Sequence, residues 1–192
     1  LSTDPAITGE SMTVLLDAYK FVDRIAPIKD KRFCITHANF PSQLNLERCK
    51  KLGVCAAVQP AWLYKDGGTL LKVLGGERMR WFQPYKSWLD YTTIGGGSDH
   101  MQKIGSLRSI NPYNPWLAMW ITVGRKCRFM DEPLHPEGGL TREEAIRLYT
   151  INNAKILFLE KECGSLEPGQ RADFIILARD VLKCPLDDLK DP

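Results

Sequence analysis

The 192-residue sequence predicts an α/β fold built on a parallel sheet, and three observations carry that prediction. Strand-like and helix-like stretches alternate in three consecutive units, Phe33–Leu52, Val54–Tyr91 and Thr92–Val123. The run Val54-Cys55-Ala56-Ala57-Val58 is apolar throughout, as expected of a strand covered on both faces. Each strand ends in a polar residue, His37, Gln59 or Asp99. Strand C-termini in such folds meet at one crevice, so these three residues are expected to lie together.

Composition sets the bounds. The chain is 44% hydrophobic and 26% charged, with a net charge of +3, an ordinary globular balance. That charge is too small to point to nucleic acid, and no basic run is interleaved with aromatics. No apolar stretch approaches the ~20 residues needed to cross a bilayer, so no membrane partner is expected. The six cysteines show neither a CxxC pair nor zinc-finger spacing. Cys34 and Cys55 fall inside apolar strand-like runs and read as buried free thiols, which fits a reducing, cytoplasmic compartment.

Taken in order, Asp4-Pro5 has helix-start chemistry. Val14, Leu15, Ala18, Tyr19, Val22 and Ile25 then follow the period of an amphipathic helix that Pro27 ends. Phe33–Phe40 predicts a short strand ending at His37, and Gln43–Leu52 a helix stopped by Gly53. Residues 61–76, rich in glycine and aromatics, predict a long loop in which Trp62 and Tyr64 line a pocket. Helical pattern resumes over Glu77–Tyr91, interrupted at Pro84.

The stretch Thr93-Ile94-Gly95-Gly96-Gly97-Ser98-Asp99-His100 is the least ordinary. Its glycines imply close backbone approach or φ values that other residues avoid. Asp99 at its end is placed either for chemistry or merely to cap a following helix. A loop through Met101–Pro115 precedes an apolar, buried helix over Trp116–Val123. Arg125–Gly139 is irregular. Thr141 and Glu144 form a capping box for the next helix, and Asn152-Asn153-Ala154 opens a shorter one. After a turn through Cys163–Gln170, Ala172–Leu177 predicts a strand.

Thr36-His37-Ala38-Asn39 resembles the strand-six element of the amidohydrolase superfamily, and Gly97-Ser98-Asp99-His100 its strand-eight element. Gly164-Ser165-Leu166-Glu167-Pro168-Gly169-Gln170-Arg171-Ala172-Asp173-Phe174 is similar to that superfamily's C-terminal signature. Thr150–Ala154 resembles the helix preceding it, and order and spacing best match the YtcJ-like branch, amidohydrolase family 3. The resemblance implies the C-terminal half of a TIM (β/α) barrel over residues 1–160. Residues 161–192 would be the short β segment of a composite β-sandwich. It implies metal-dependent hydrolysis of C–N bonds in a small-molecule, amide-type substrate, with a divalent metal, zinc foremost. His37 would be a metal ligand. Asp99 would be both ligand and proton acceptor, with Gln59 and His100 as substrate contacts.

Other elements of the family pattern are missing. The strand-one His-x-His pair, the intermediate-strand ligand and the strand-five histidine do not occur, and His135 is the one further histidine. Ser2–Ile7 looks like the continuation of the strand-five element. The resemblance thus implies a C-terminal fragment, inactive alone, whose partner is the N-terminal remainder of the same protein. Open apolar edges would also favour pairing between copies. A different reading keeps the scaffold as a non-catalytic binding or assembly domain, with His37 and Asp99 as hydrogen-bonding residues.

Overall fold

The computed structural model describes residues 10–99 and 113–192. The expected helix start at residues 2–8, most of the loop before residue 115, and His100 lie outside the described residues. Helix α1 (Glu10–Ile25) leads through a 3₁₀ turn to strand β1 (Cys34–Thr36), helix α2 (Gln43–Leu52) and strand β2 (Cys55–Val58). Helices α3 (Pro60–Leu74), α4 (Gly76–Met79) and α5 (Tyr85–Tyr91) then precede strand β3 (Ile94–Gly96). Helices α6 (Pro115–Gly124), α7 (Arg142–Tyr149) and α8 (Ile151–Ile156) follow.

The strands form one parallel sheet in the order β1-β2-β3, as the alternation predicts. Ile35, Ala56, Val58 and Ile94 are fully buried in it. Each large side chain so buried contributes about 1.5–3 kcal/mol.

Local chemistry sets the helix ends. Ser42 Oγ accepts from Asn45 N at 3.2 Å to start α2, and Gly53 in the left-handed region stops it. Asn114 Oδ1 takes the Trp116 and Leu117 amides at the head of α6. The capping box of α7 forms in both directions, with Glu144 N on Thr141 Oγ1 and Thr141 N on Glu144 Oε2.

Three expectations are corrected. Residues 60–74 are a helix, not a loop. Pro60 occupies its first turn, where no amide partner is needed. Gly67 and Gly68 make room for neighbours rather than a turn. A Cβ on Gly67 would lie 2.5 Å from Cys127 Sγ, and one on Gly68 3.3 Å from Arg128 O. Secondly, α1 buries Met12, Leu15 and Leu16 and packs Tyr19 against Phe33, but leaves Val14, Phe21, Val22 and Ile25 exposed. Thirdly, residues 172–177 carry no regular secondary structure and pair with no strand among the described residues, and Phe174, Ile175 and Ile176 are exposed. A strand needs a ladder partner to be one.

The chain end folds back. Leu189 is buried, Trp120 Nε1 donates to Asp187 Oδ1 at 3.0 Å, and the Arg142 guanidinium donates to the Val181 and Cys184 carbonyls at 2.6 Å each. All six cysteines are free thiols. Among the described residues no helix is long and apolar enough to cross a membrane.

Candidate active site

The register of the sheet assembles the site. Thr36 pairs with Ala57 and Val58 with Gly96, so His37, Gln59 and Gly97 leave the sheet at one edge, within a residue of the same level. This is the C-terminal edge, and Asp99 follows two residues after Gly97. The three strand-end residues read from the sequence therefore share one edge of the sheet.

Gln59 is the most enclosed of them, 5% exposed. Its Nε2 lies 3.6 Å from the Cβ position of Gly97, and its buried Oε1 has no partner among the described residues. An orphaned buried acceptor is unfavourable by about 1–3 kcal/mol and is available to a donor that enters the site. Asp99 is half-buried, and its Oδ2 accepts from Trp62 Nε1 at 2.8 Å. Trp62 sits in the first turn of α3, so that helix places an indole donor against one oxygen of the carboxylate. His37 is half-buried at the end of β1.

The glycine run separates into roles. A Cβ on Gly95 would meet Asn153 Oδ1 at 2.2 Å, and one on Gly96 would meet Tyr149 Cζ at 2.5 Å. Close approach of α7 and α8, rather than unusual φ, accounts for both. Gly97 N donates to Val58 O, so the Gly96 carbonyl of the same peptide points away from β2, where Asn153 Nδ2 covers it at 3.0 Å. The helix that resembles the family element thus seals the edge of the strand bearing Asp99.

Backbone strain collects at the same edge. His37 (φ 68°), Ala38 (φ 27°) and Asp99 (φ 49°) all occupy positive φ without being glycine. The segment after β1 is held from the side. Trp88 Nε1 donates to Ala38 O at 3.2 Å, and Gln83 N to Asn39 O at 2.7 Å. A cleft of about 480 Å³ opens beside this connection, between Phe40–Gln43 and Trp81.

His135 is elsewhere, with Nε2 at 2.8 Å from Gly76 O and Nδ1 at 3.1 Å from Glu137 Oε1. Among the described residues no three His, Cys, Asp or Glu side chains cluster as a metal site. What these residues supply is an imidazole and a carboxylate on one edge, a donor pair chemically suited to a divalent metal but short of a full shell. Asn39, Gln83 and Arg125 were not singled out from the sequence; their partners are distant in the chain, and the one local hint was a lone arginine ending the apolar helix α6.

Residues 5–191 match the model of the amidohydrolase family. The chain is 30% identical over 173 residues to protein LONG AFTER FAR-RED 3 of Arabidopsis thaliana, covering 90% of this chain and 29% of that protein. It is 29% identical to the N-substituted formamide deformylase of Arthrobacter pascens (94% and 32% covered). It is 27% identical to the putative amidohydrolase YtcJ of Bacillus subtilis strain 168 (83% and 29%). Among solved structures, an uncharacterized metal-dependent hydrolase from Pyrococcus horikoshii OT3 superposes with a TM-score of 0.73 at 27% identity, over 93% of this chain and 34% of that one. The chain spans about a third of the length of these proteins.

Proposed function

Since the chain belongs to the amidohydrolase family, we propose that it forms the C-terminal portion of a metal-dependent hydrolase that opens C–N bonds in a small, amide-type substrate. The observation that carries this reading is the parallel register that brings His37, Gln59 and Asp99 to one sheet edge. The deformylase relative, named for action on N-substituted formamides, supports the bond type. In this reading the sheet is part of a (β/α) barrel spanning residues 1–160, and residues 161–192 are a β segment completed by strands from the rest of the protein.

His37 and Asp99 are the residues that would hold the metal, with zinc the best match to imidazole and carboxylate. A divalent metal there supplies Lewis-acid polarisation of the carbonyl and lowers the pKa of water. Asp99, held by Trp62 through one oxygen, accepts a proton on the other and returns it to the departing nitrogen. Gln59 orients the substrate, its unpartnered Oε1 taking an amide N–H. His100 is a second substrate contact. In this reading the remaining donors belong to the N-terminal remainder of the protein, which is the chain's partner and without which it is inactive. The alternative is a binding or assembly domain on the same scaffold.

Steady-state hydrolysis of an N-substituted formamide by the longest product of the gene tests this. Asp99→Asn is expected to lower kcat by about 10²-fold or more with KM little changed. Turnover unchanged in Asp99→Asn removes the assignment and leaves the scaffold reading.

A further inference from the structure

A buried network links helix α6 to the strand ends, and no step proposed above uses it. Arg125 is fully buried, and among the described residues its guanidinium hydrogen-bonds no carboxylate. Its guanidinium instead donates to three carbonyls, Gln83 O at 2.7 Å, Phe82 O at 3.0 Å and Leu134 O at 2.9 Å. Burial pushes the guanidinium down from its ordinary value, and the Tyr85 ring face lies 5.3 Å from it. A buried cation satisfied entirely by backbone oxygens fixes that backbone.

The segment fixed is Phe82-Gln83, where Gln83 (φ 45°) is another strained residue, also fully buried. Its side-chain amide is used at both ends. Oε1 accepts from Tyr85 Oη at 2.5 Å, which orients Nε2 toward Asn39 Oδ1 at 2.8 Å and Gln59 O at 3.1 Å. Its backbone N also donates to Asn39 O at 2.7 Å. One glutamine therefore ties the end of β1 to the end of β2. Asn39 lies two residues from His37, across the strained His37-Ala38 pair, which needs outside restraint to keep its φ values.

We propose that Gln83, held by Arg125 and aimed by Tyr85, is a positioning residue that sets His37 and Gln59 for the chemistry. This rests on the reading of His37 as a metal ligand. Loss of such an outer partner typically weakens metal binding about 10–100-fold.

The test is Co²⁺ titration of the metal-free longest gene product, followed by the visible Co²⁺ spectrum, for wild type, Gln83→Leu, Tyr85→Phe and His37→Ala. Amide hydrogen exchange over residues 37–39 is read in parallel. Gln83→Leu is expected to weaken Co²⁺ about 10–100-fold, alter the spectrum and speed exchange at 37–39. Tyr85→Phe, which keeps the ring and frees only Oε1, is expected to shift the same readouts less. If Gln83→Leu does not fold, Tyr85→Phe decides. Wild-type Co²⁺ affinity and spectrum in a folded Gln83→Leu, with His37→Ala impaired, overturns the positioning role alone. Wild-type affinity in His37→Ala overturns the ligand reading beneath it.

Discussion

Gly95→Ala tests how helix α8 seats against the strand that carries Asp99. The added methyl would stand 2.2 Å from Asn153 Oδ1 and 2.9 Å from Ile156 Cδ1, so at least one side chain must move. Overpacking of this kind is unfavourable by about 1–3 kcal/mol. Replacing glycine by alanine returns roughly 0.5–1 kcal/mol of chain entropy. The net loss is up to roughly 2.5 kcal/mol and centres on about 1 kcal/mol, and in a chain of this size each kcal/mol lowers Tm by about 2–4 °C. The control is Gly97→Ala, whose methyl has Gln59 Nε2 at 3.6 Å as its nearest neighbour and is expected to leave Tm within about 2 °C. A second arm identifies the contact. Asn153→Ala gives up the bond to Gly96 O, worth about 1 kcal/mol, but also removes the nearer of the two obstacles to the methyl and leaves only the flexible end of Ile156. The double variant should therefore fall short of the sum of the singles by at least about 0.5 kcal/mol. Thermal unfolding by circular dichroism reads all four proteins. Equal melting of Gly95→Ala and wild type, or strict additivity in the double variant, would refute this packing.

Two further outcomes follow from the geometry. Glu160 is gripped by Arg32 in a two-pronged contact (Nη1–Oε2 2.9 Å, Nη2–Oε1 2.5 Å), which holds its carboxyl down at about 2, below the ordinary 4.5. A depressed carboxyl stabilises above its unfolded value and stops doing so as pH falls to the folded one. Wild type should accordingly melt higher than Glu160→Gln at neutral pH. That gap should close between about pH 4.5 and about 2; a gap constant through that window contradicts the pairing. Trp62→Phe removes the donor to Asp99 Oδ2 while keeping an aromatic ring, and kcat is expected to fall about 10-fold with little change in Tm; equal kcat would mean the indole does not position the carboxylate.

The strands were legible because parallel strands covered on both faces must be apolar without interruption, as Val54–Val58 is. Capping chemistry was equally local: Thr141 and Glu144 need only a spacing of three. The close approach at Gly95 and Gly96 was readable as one of two options, and the structure selects it by placing Asn153 and Tyr149 there. The same logic failed at Gly67-Gly68. Glycine reads alike in sequence whether it bends the chain or admits a neighbour, and the neighbours there, Cys127 and Met130, lie some 60 residues on. The strand predicted at Ala172–Leu177 shows a further limit, since β pattern describes a face but not whether a ladder partner stands beside it. His37, Gln59 and Asp99 were legible as strand ends. The Arg125–Gln83–Asn39 network was not, because an arginine in a sequence reads as a surface residue until its carbonyl partners are known.

The central claim is that the C-terminal edge of this sheet contributes His37 and Asp99 to a metal-dependent active site. Metal analysis by mass spectrometry, on the longest gene product and its His37→Ala variant purified in parallel, tests it most directly. The account predicts near-stoichiometric divalent metal in the wild type and a loss of most of it in His37→Ala, together with loss of hydrolysis. Equal metal content and equal hydrolysis in the two proteins would contradict it.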